Sequence, residues 1–269
     1  MKKFIFIFIF FGLAGTVLSL PSYFTFKPST YYCPYESPSC PKYLLDEVNS
    51  KTNINIELRD FDFEPQVNKS IVLSGGRNNV VVKGFFMTVQ GPVRFFRVQE
   101  AYRLVPLDNP PPKDVKFYQV RSSGQSAFVV NENSSSAISS YDTSVYNSIF
   151  LLDKDWLDYK IKSEQAIVSG SISDGKLVVA AVYVNIKDPA TQCPSLPLFK
   201  CQEGYVVTYT RQPDRCYDAD GCTKTGGCPL VVPQCSKNYR RVSIPSKPHG
   251  CYKYKCEPDF LPLTSYSRS

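Results

Sequence analysis

Short apolar and aromatic runs, each closed by Gly, Asn, Ser or Asp, recur along the chain. Tyr23–Phe26, Val80–Phe86, Phe95–Gln99, Phe117–Val120 and Leu177–Val184 are examples. Such runs, rich in Val, Ile, Phe and Tyr, predict β-strands. The two runs either side of Asp174-Gly175 predict a hairpin, because that dipeptide suits a tight turn. Helical periodicity is weak, and Tyr43–Val48 and Ser163–Ile167 each promise a turn or two at most. The Ser-rich stretch Asn133–Ser140 reads as a loop.

The runs also repeat. Tyr23–Phe26 parallels Phe117–Val120, and Glu57–Phe63 parallels Leu152–Leu157. Ile71–Gly75 followed by Val80–Phe86 parallels Ile167–Gly170 followed by Leu177–Val184. The matches keep their order at displacements of about 94–97 positions, which predicts a duplicated unit. The stiff connector Asn109–Lys113 separates the copies, and Lys187–Gln192 closes the second. The expected organisation is therefore a leader over 1–19, β unit 1 over 22–108, β unit 2 over 114–187 and a cystine-rich module over 193–260. The expected fold is all-β, with duplicated small antiparallel units, sandwich or barrel-like, followed by a small disulfide-rich module.

The leader changes the compartment. Lys2 and Lys3 precede the apolar run Phe4–Leu18, and small residues near Ser19 suit cleavage after it, as in a secretory signal. No later apolar stretch is long enough to span about 30 Å of hydrocarbon, so no transmembrane segment is expected. The ten cysteines, Cys33, Cys40, Cys193, Cys201, Cys216, Cys222, Cys228, Cys235, Cys251 and Cys256, then read as disulfides. Cys33 and Cys40 flank one Pro- and Ser-rich loop and are expected to bond to each other. The last eight form two similar groups of four, beginning Cys193-Pro194 and Cys228-Pro229. Each group allows three pairings, of which first with third and second with fourth is favoured. Zinc would want closer cysteine pairs and more than the single His249, so no metal is expected. Asn68-Lys69-Ser70 and Asn133-Ser134-Ser135 are glycosylation sequons once the chain enters the secretory route.

Tyr23–Pro28, the Cys33/Cys40 loop and the run Phe95–Arg103 resemble a family of secreted β-rich proteins of unknown function from bacteria and social amoebae. The Cys-rich tail is similar to that of slime-mould members. The likeness covers roughly residues 22–187 and implies no activity. Gly250–Cys256 resembles the closing turn of antistasin-type protease-inhibitor modules, although their full cysteine pattern is not reproduced.

Chemistry is sparse. His249 is the one histidine, flanked by Pro248 and Gly250, which leaves Ser–His and Cys–His catalysis without a well-placed base. Asp60/Asp62 and Asp153/Asp155 look like carboxylate pairs, but alternation along a strand puts them on solvated faces. Asp218–Gly221 resembles part of a calcium loop, lacks the downstream carboxylate and is expected to be a turn. No catalytic residue or cofactor is expected.

Charge adds one positive signal. Of 31 Lys and Arg, two lie in the leader, leaving 29 against 24 acidic residues, a net charge of +5. The stretch Gly221–Cys256 carries Lys224, Lys237, Arg240, Arg241, Lys247, Lys253 and Lys255 and no acidic residue. A cystine-fixed basic patch of this kind suits a polyanionic or glycan partner. The expectation is a non-enzymatic extracellular binding or matrix protein contacting an acidic glycan or glycoprotein rather than nucleic acid. The alternative is a protease inhibitor offering Arg211 or Arg215 as an exposed scissile-like position. The oligomeric state is left open.

Overall fold

The computed structural model describes residues 21–31, 40–52, 55–76, 79–87, 94–112, 114–121, 124–186, 192–197 and 199–266. The leader, Cys33 with its expected bond to Cys40, Arg77-Asn78, Lys113 and Lys187–Thr191 lie outside them. The protein is mostly β, and antiparallel pairing dominates.

Unit 1 contributes β1 (Ser22–Pro28), β2 (Tyr43–Glu47), β3 (Asn55–Leu58), β4 (Asp60–Phe63), helix α1 (Lys69–Ser74), β5 (Val80–Met87) and β6 (Phe95–Leu104). Unit 2 repeats the order with β7 (Lys116–Arg121), β8 (Ser126–Val129), β9 (Ser135–Ala137), β10 (Ser140–Asp142), helix α2 (Lys154–Lys162), β11 (Ala166–Ser173) and β12 (Lys176–Asn185). In unit 1 the strand order is β3-β2-β1-β5-β6, and β4 adds parallel to β6. Since β3 runs through Arg59 straight into β4, the sheet closes on itself as a small barrel. Phe24, Phe26, Leu45, Leu58, Phe61 and Phe96 fill it. Unit 2 closes the same way, with β10 parallel to β12, and Trp156, Leu157 and Ile161 of α2 pack into its core.

Both long ladders slip by one residue at a matching place, after Lys83 in β5/β6 and after Ser169 in β11/β12. A glycine follows in each. A Cβ added to Gly84 would stand 1.8 Å from the Arg97 carbonyl oxygen, and one on Gly170 would stand 2.2 Å from that of Val178. Only glycine allows so close a backbone approach.

A pseudo-twofold relation joins the units. Tyr102, Arg103 and Leu104 of β6 pair antiparallel with Asn185, Val184 and Tyr183 of β12, which makes one continuous twelve-stranded sheet. The chain beyond each strand then enters the other barrel. Val105 lies in the core of unit 2 and Ile186 in the core of unit 1. Matching bonds fix them, Val105 N to Val182 O and Ile186 N to Ala101 O, both 2.9 Å. Two asparagines in left-handed backbone, Asn49 (φ 60°) and Asn131 (φ 62°), clasp the opposite unit. The Asn49 carboxamide donates to Phe117 O and Val130 O and accepts from Phe117 N. That of Asn131 donates to Tyr23 O and Val48 O and accepts from Tyr23 N. Asn tolerates this backbone region better than most residues, and here its side chain stands in for a missing strand.

The duplication follows a different register from the one expected beyond its first match. The strand pairings align β5 with β11 and β6 with β12, whereas Ile71–Gly75 belongs to helix α1 and its adjoining cap. Leu152–Leu157 enters α2 rather than a strand, with buried Trp156, Leu157 and Ile161 at helical spacing. Tyr43–Glu47 and Ala166–Ser173 are strands, not helical turns. The Ser-rich stretch holds the exposed strand β9 and buried Ile138. The Asp174-Gly175 hairpin has positive φ at both residues, as a type I′ turn requires.

Candidate functional site

The C-terminal module consists of β13 (Gln192–Cys193) beside β18 (Ser265–Tyr266) and two hairpins. These are β14 (Tyr205–Arg211) with β15 (Tyr217–Lys224), and β16 (Tyr239–Ser246) with β17 (Cys251–Pro258). Cys193–Cys216 and Cys201–Cys222 staple the first hairpin. Cys228–Cys251 and Cys235–Cys256 staple the second with the same separations of 23 and 21 residues. The two knots are therefore copies that join first with third and second with fourth cysteines. Small modules of this kind depend on such staples because they bury little apolar area.

One position separates the copies. The residue before the third cysteine has positive φ in both, Gly250 at 73° and Arg215 at 78°. A non-glycine residue there is strained, and Arg215 is nevertheless buried. Its guanidinium is bidentate on Glu257, with Nε to Oε2 at 3.0 Å and Nη2 to Oε1 at 3.1 Å. Arg211 Nη2 reaches Oε2 at 2.5 Å and Arg240 Nη2 reaches Oε1 at 2.5 Å. Three arginines thus surround one carboxylate with 2% exposure. Burial pushes the Glu257 carboxyl up, and the Arg215 and Arg211 guanidiniums outweigh it, so it is held below its ordinary range.

This hub anchors the module on unit 2. Arg211 Nε lies 3.3 Å from the buried Asp153 carboxylate at the start of α2, and Lys255 bridges Asp153 and Asp155 at 3.2 and 3.3 Å. Backbone bonds from Asp153 N to Cys256 O and from Cys256 N to Leu151 O run beside them. Farther along, Tyr239 Oη donates to Pro106 O, and the Arg103 guanidinium covers the Phe260 ring at 4.7 Å.

Several expectations are corrected here. Arg211 and Arg215 are interior ion-pair partners with side-chain exposures of 5% and 3%, so neither presents a scissile bond. Asp153 is no solvated strand residue; it precedes the first turn of α2, is buried and forms ion pairs. Asp60 and Asp62 do lie on a strand, paired with Lys42 and Arg97. Asp218–Gly221 belongs to β15, with Gly221 (φ 89°) at a bulge, rather than to a turn.

The basic set divides in two. Arg240 is committed to Glu257, and Lys255 to Asp153 and Asp155. Lys224, Lys237, Arg241, Lys247 and Lys253 are exposed, and among the described residues none makes an ion pair. Lys224, Lys247 and Lys253 gather around one end of the module. There the turn of the second hairpin leans on the first: Lys247 Nζ donates to Asp220 O at 2.8 Å, and Gly250 abuts Val206. Lys237 stands at the opposite end of that hairpin. Arg241 braces the Pro233 carbonyl at 3.0 Å and stacks on Tyr254. The loop it braces exposes Leu230 (96%) and Val231 (80%) between two disulfides, which composition did not single out. His249 sits exposed in the hairpin turn. Among the described residues no cluster of three His, Cys, Asp or Glu could hold a metal, and no helix is long and apolar enough to cross a membrane.

Fold and site together define a mostly β protein with a four-disulfide, ion-paired C-terminal module. It belongs to the family of an uncharacterized protein of Dictyostelium discoideum, to which it is 32% identical over 247 residues, 84% of each chain. No family model matches the sequence, and no solved structure matches it.

Proposed function

We propose that the chain is a secreted, non-enzymatic binding or matrix protein whose cystine module contacts a polyanionic partner, an acidic glycan or glycoprotein. The observation that carries this reading is the gathering of Lys224, Lys247 and Lys253 at one disulfide-fixed end of the module, free of ion pairs. Cations of one sign on a disulfide-fixed backbone attract polyanions with little backbone ordering cost, although Asp220, whose carbonyl accepts from Lys247, borders the patch. Export rests on the leader-like start and on the four disulfides of the tail. The likeness to secreted bacterial proteins belongs to the same reading. Both sequon asparagines are exposed, and glycosylation through Nδ2 of Asn68 leaves its Oδ1 free to keep accepting from Ile71 N at the start of α1.

Heparin chromatography tests the reading. The native protein is expected to be retained and released by salt, and the triple variant Lys224→Ser, Lys247→Ser, Lys253→Ser to elute earlier. Flow-through of the native protein at low salt would overturn it. Arg240→Ser is a poor probe, because it also opens the Glu257 hub. A second reading has its own observation. The Pro229–Pro233 loop is exposed, bounded by disulfides and braced by Arg241, as an inhibitor's binding loop must be. Leu230 would then occupy the specificity pocket of a chymotrypsin-like protease, and unchanged protease activity at excess protein would remove this reading.

A further inference from the structure

The two β units share a backbone but differ in what fills one equivalent patch. In unit 1, neighbouring strands bring together Tyr23, Lys83, Glu100 and Tyr102, through the pairings Tyr23↔Lys83 and Lys83↔Glu100. Lys83 Nζ meets Glu100 at 3.0 Å, Tyr102 Oη donates to the same carboxylate, and Lys83 lies over the Tyr23 ring. The equivalent residues in unit 2 are Phe117, Ser169, Ala181 and Tyr183, through Phe117↔Ser169 and Ser169↔Ala181. A lysine and a glutamate are thus replaced by a serine and an alanine, and both sets precede the same bulge.

The shorter side chains leave space. A cleft of about 590 Å³ lies there, walled by unit 1, unit 2 and the Pro110–Pro112 connector. That volume is in the range of small-molecule sites. Ser169 lines it, is 1% exposed, and its Oγ has no hydrogen-bond partner among the described residues. A buried hydroxyl left unpaired costs stability, and a ligand hydroxyl that reached it would recover that cost.

We propose that this cleft binds a neutral, polyhydroxylated small molecule, a mono- or disaccharide in chemical class. Its lining suits hydroxyl groups, which both donate and accept. Asp114 accepts, the Lys27–Asp46 pair at 3.5 Å offers a donor and an acceptor side by side, and the hydroxyls of Thr25, which donates to the Asp46 carbonyl, and of Ser169 can accept or donate. Phe117 and Tyr183, with ring centroids 5.6 Å apart, supply the apolar faces against which sugar C–H groups pack. Two carboxylates against one ammonium disfavour an anion, which separates this ligand from the polyanion assigned to the cystine module. The connector wall is stiffened by three consecutive prolines, so the site is largely formed before the ligand arrives.

Saturation-transfer NMR on the full chain tests the proposal. The probes are glucose, galactose, mannose, fucose, N-acetylglucosamine and their β-linked disaccharides. At least one is expected to receive saturation. The variant Ser169→Lys with Ala181→Glu installs the ion pair of unit 1 and is expected to abolish the signal while leaving heparin retention unchanged. If that variant fails to fold, the exposed-side pair Asp46→Asn, Asp114→Asn serves instead, with binding expected to weaken about tenfold or more. Absence of transfer from every probe, or transfer that survives the filling variant or both Asp substitutions, would overturn the assignment. Because heparin retention is read on the same samples, failure here is distinguishable from failure of the module's reading.

Discussion

Unit 1 meets unit 2 through hydrocarbon, paired backbone and two carboxamides, whereas unit 2 meets the cystine module through the buried Asp153 carboxylate, held by Lys255 and by Arg211, which is itself fixed with Arg215 on Glu257. The first joint is nearly symmetric: the clasps and the inserted Val105 and Ile186 occur as pairs about the single β6–β12 ladder. The second has no counterpart: Arg215 occupies a strained position where its repeat mate is the permissive Gly250. An apolar joint tolerates trimming in proportion to the atoms lost. A buried ionic joint does not, because removing one partner leaves the others charged and unsolvated.

That contrast orders the expected damage. Glu257→Ala strands Arg211 and Arg215 and is expected to cost about 3–5 kcal/mol in urea unfolding; a loss under about 1 kcal/mol would show that the hub is solvated. The same carboxyl sets an acid limit. Its folded-state affinity for a proton is depressed, so its contribution is complete above the ordinary Glu value of 4.5 and is lost as pH falls through the lower folded value. Thermal melting below pH 4.5 should therefore fall more steeply for the native chain than for Glu257→Gln.

Within the symmetric joint, Ile186→Ala is expected to cost about 3 kcal/mol, since it opens a hole in the core of unit 1. The clasps come next. Asn49→Ala and Asn131→Ala should each cost about 1–2 kcal/mol, and Asn49, the less exposed, should be the larger. Asn→Gly at either site relieves the backbone but not the lost bonds, so it should recover only part. Calorimetry that finds the glycine variants fully stable would assign the clasps to backbone conformation alone. Smallest is Lys255→Met, about 0.5 kcal/mol, because the lysine is partly solvated and leaves Asp153 with Arg211.

Strand content, the Asp174-Gly175 hairpin and the paired cysteine groups were legible because they are written in local composition. The helix α2 was not. Its apolar positions are few, and Leu152-Asp153-Lys154-Asp155-Trp156 also alternates like a strand, although Trp156, Leu157 and Ile161 carry the helical spacing that would have revealed it. Ile71-Val72-Leu73 of α1 misled as well, being apolar, with two β-branched residues, over too short a span. The repeat was visible, but matching those residues to β11 shifted its register. The basic tally could not separate Lys224 and Lys253 from Arg240 and Lys255, whose acidic partners are buried or lie elsewhere in the chain. Asp153 is 102 residues from Lys255. The clasps and the Glu257 hub are long-range contacts of ordinary residues, and no spacing announces them.

The reciprocal placement of Val105 and Ile186 also bears on synthesis. As the chain emerges, unit 1 is complete in length about 80 residues before Ile186 arrives to finish its core. During that interval the outer edge of β6 at Tyr102–Leu104 lacks its β12 partner and presents open backbone groups. The missing partner is itself a near copy of β6, so a chain halted before β12 would carry an edge complementary to its own twin. Prematurely ended or proteolysed chains should therefore pair with one another by the geometry that joins the two halves of the intact protein.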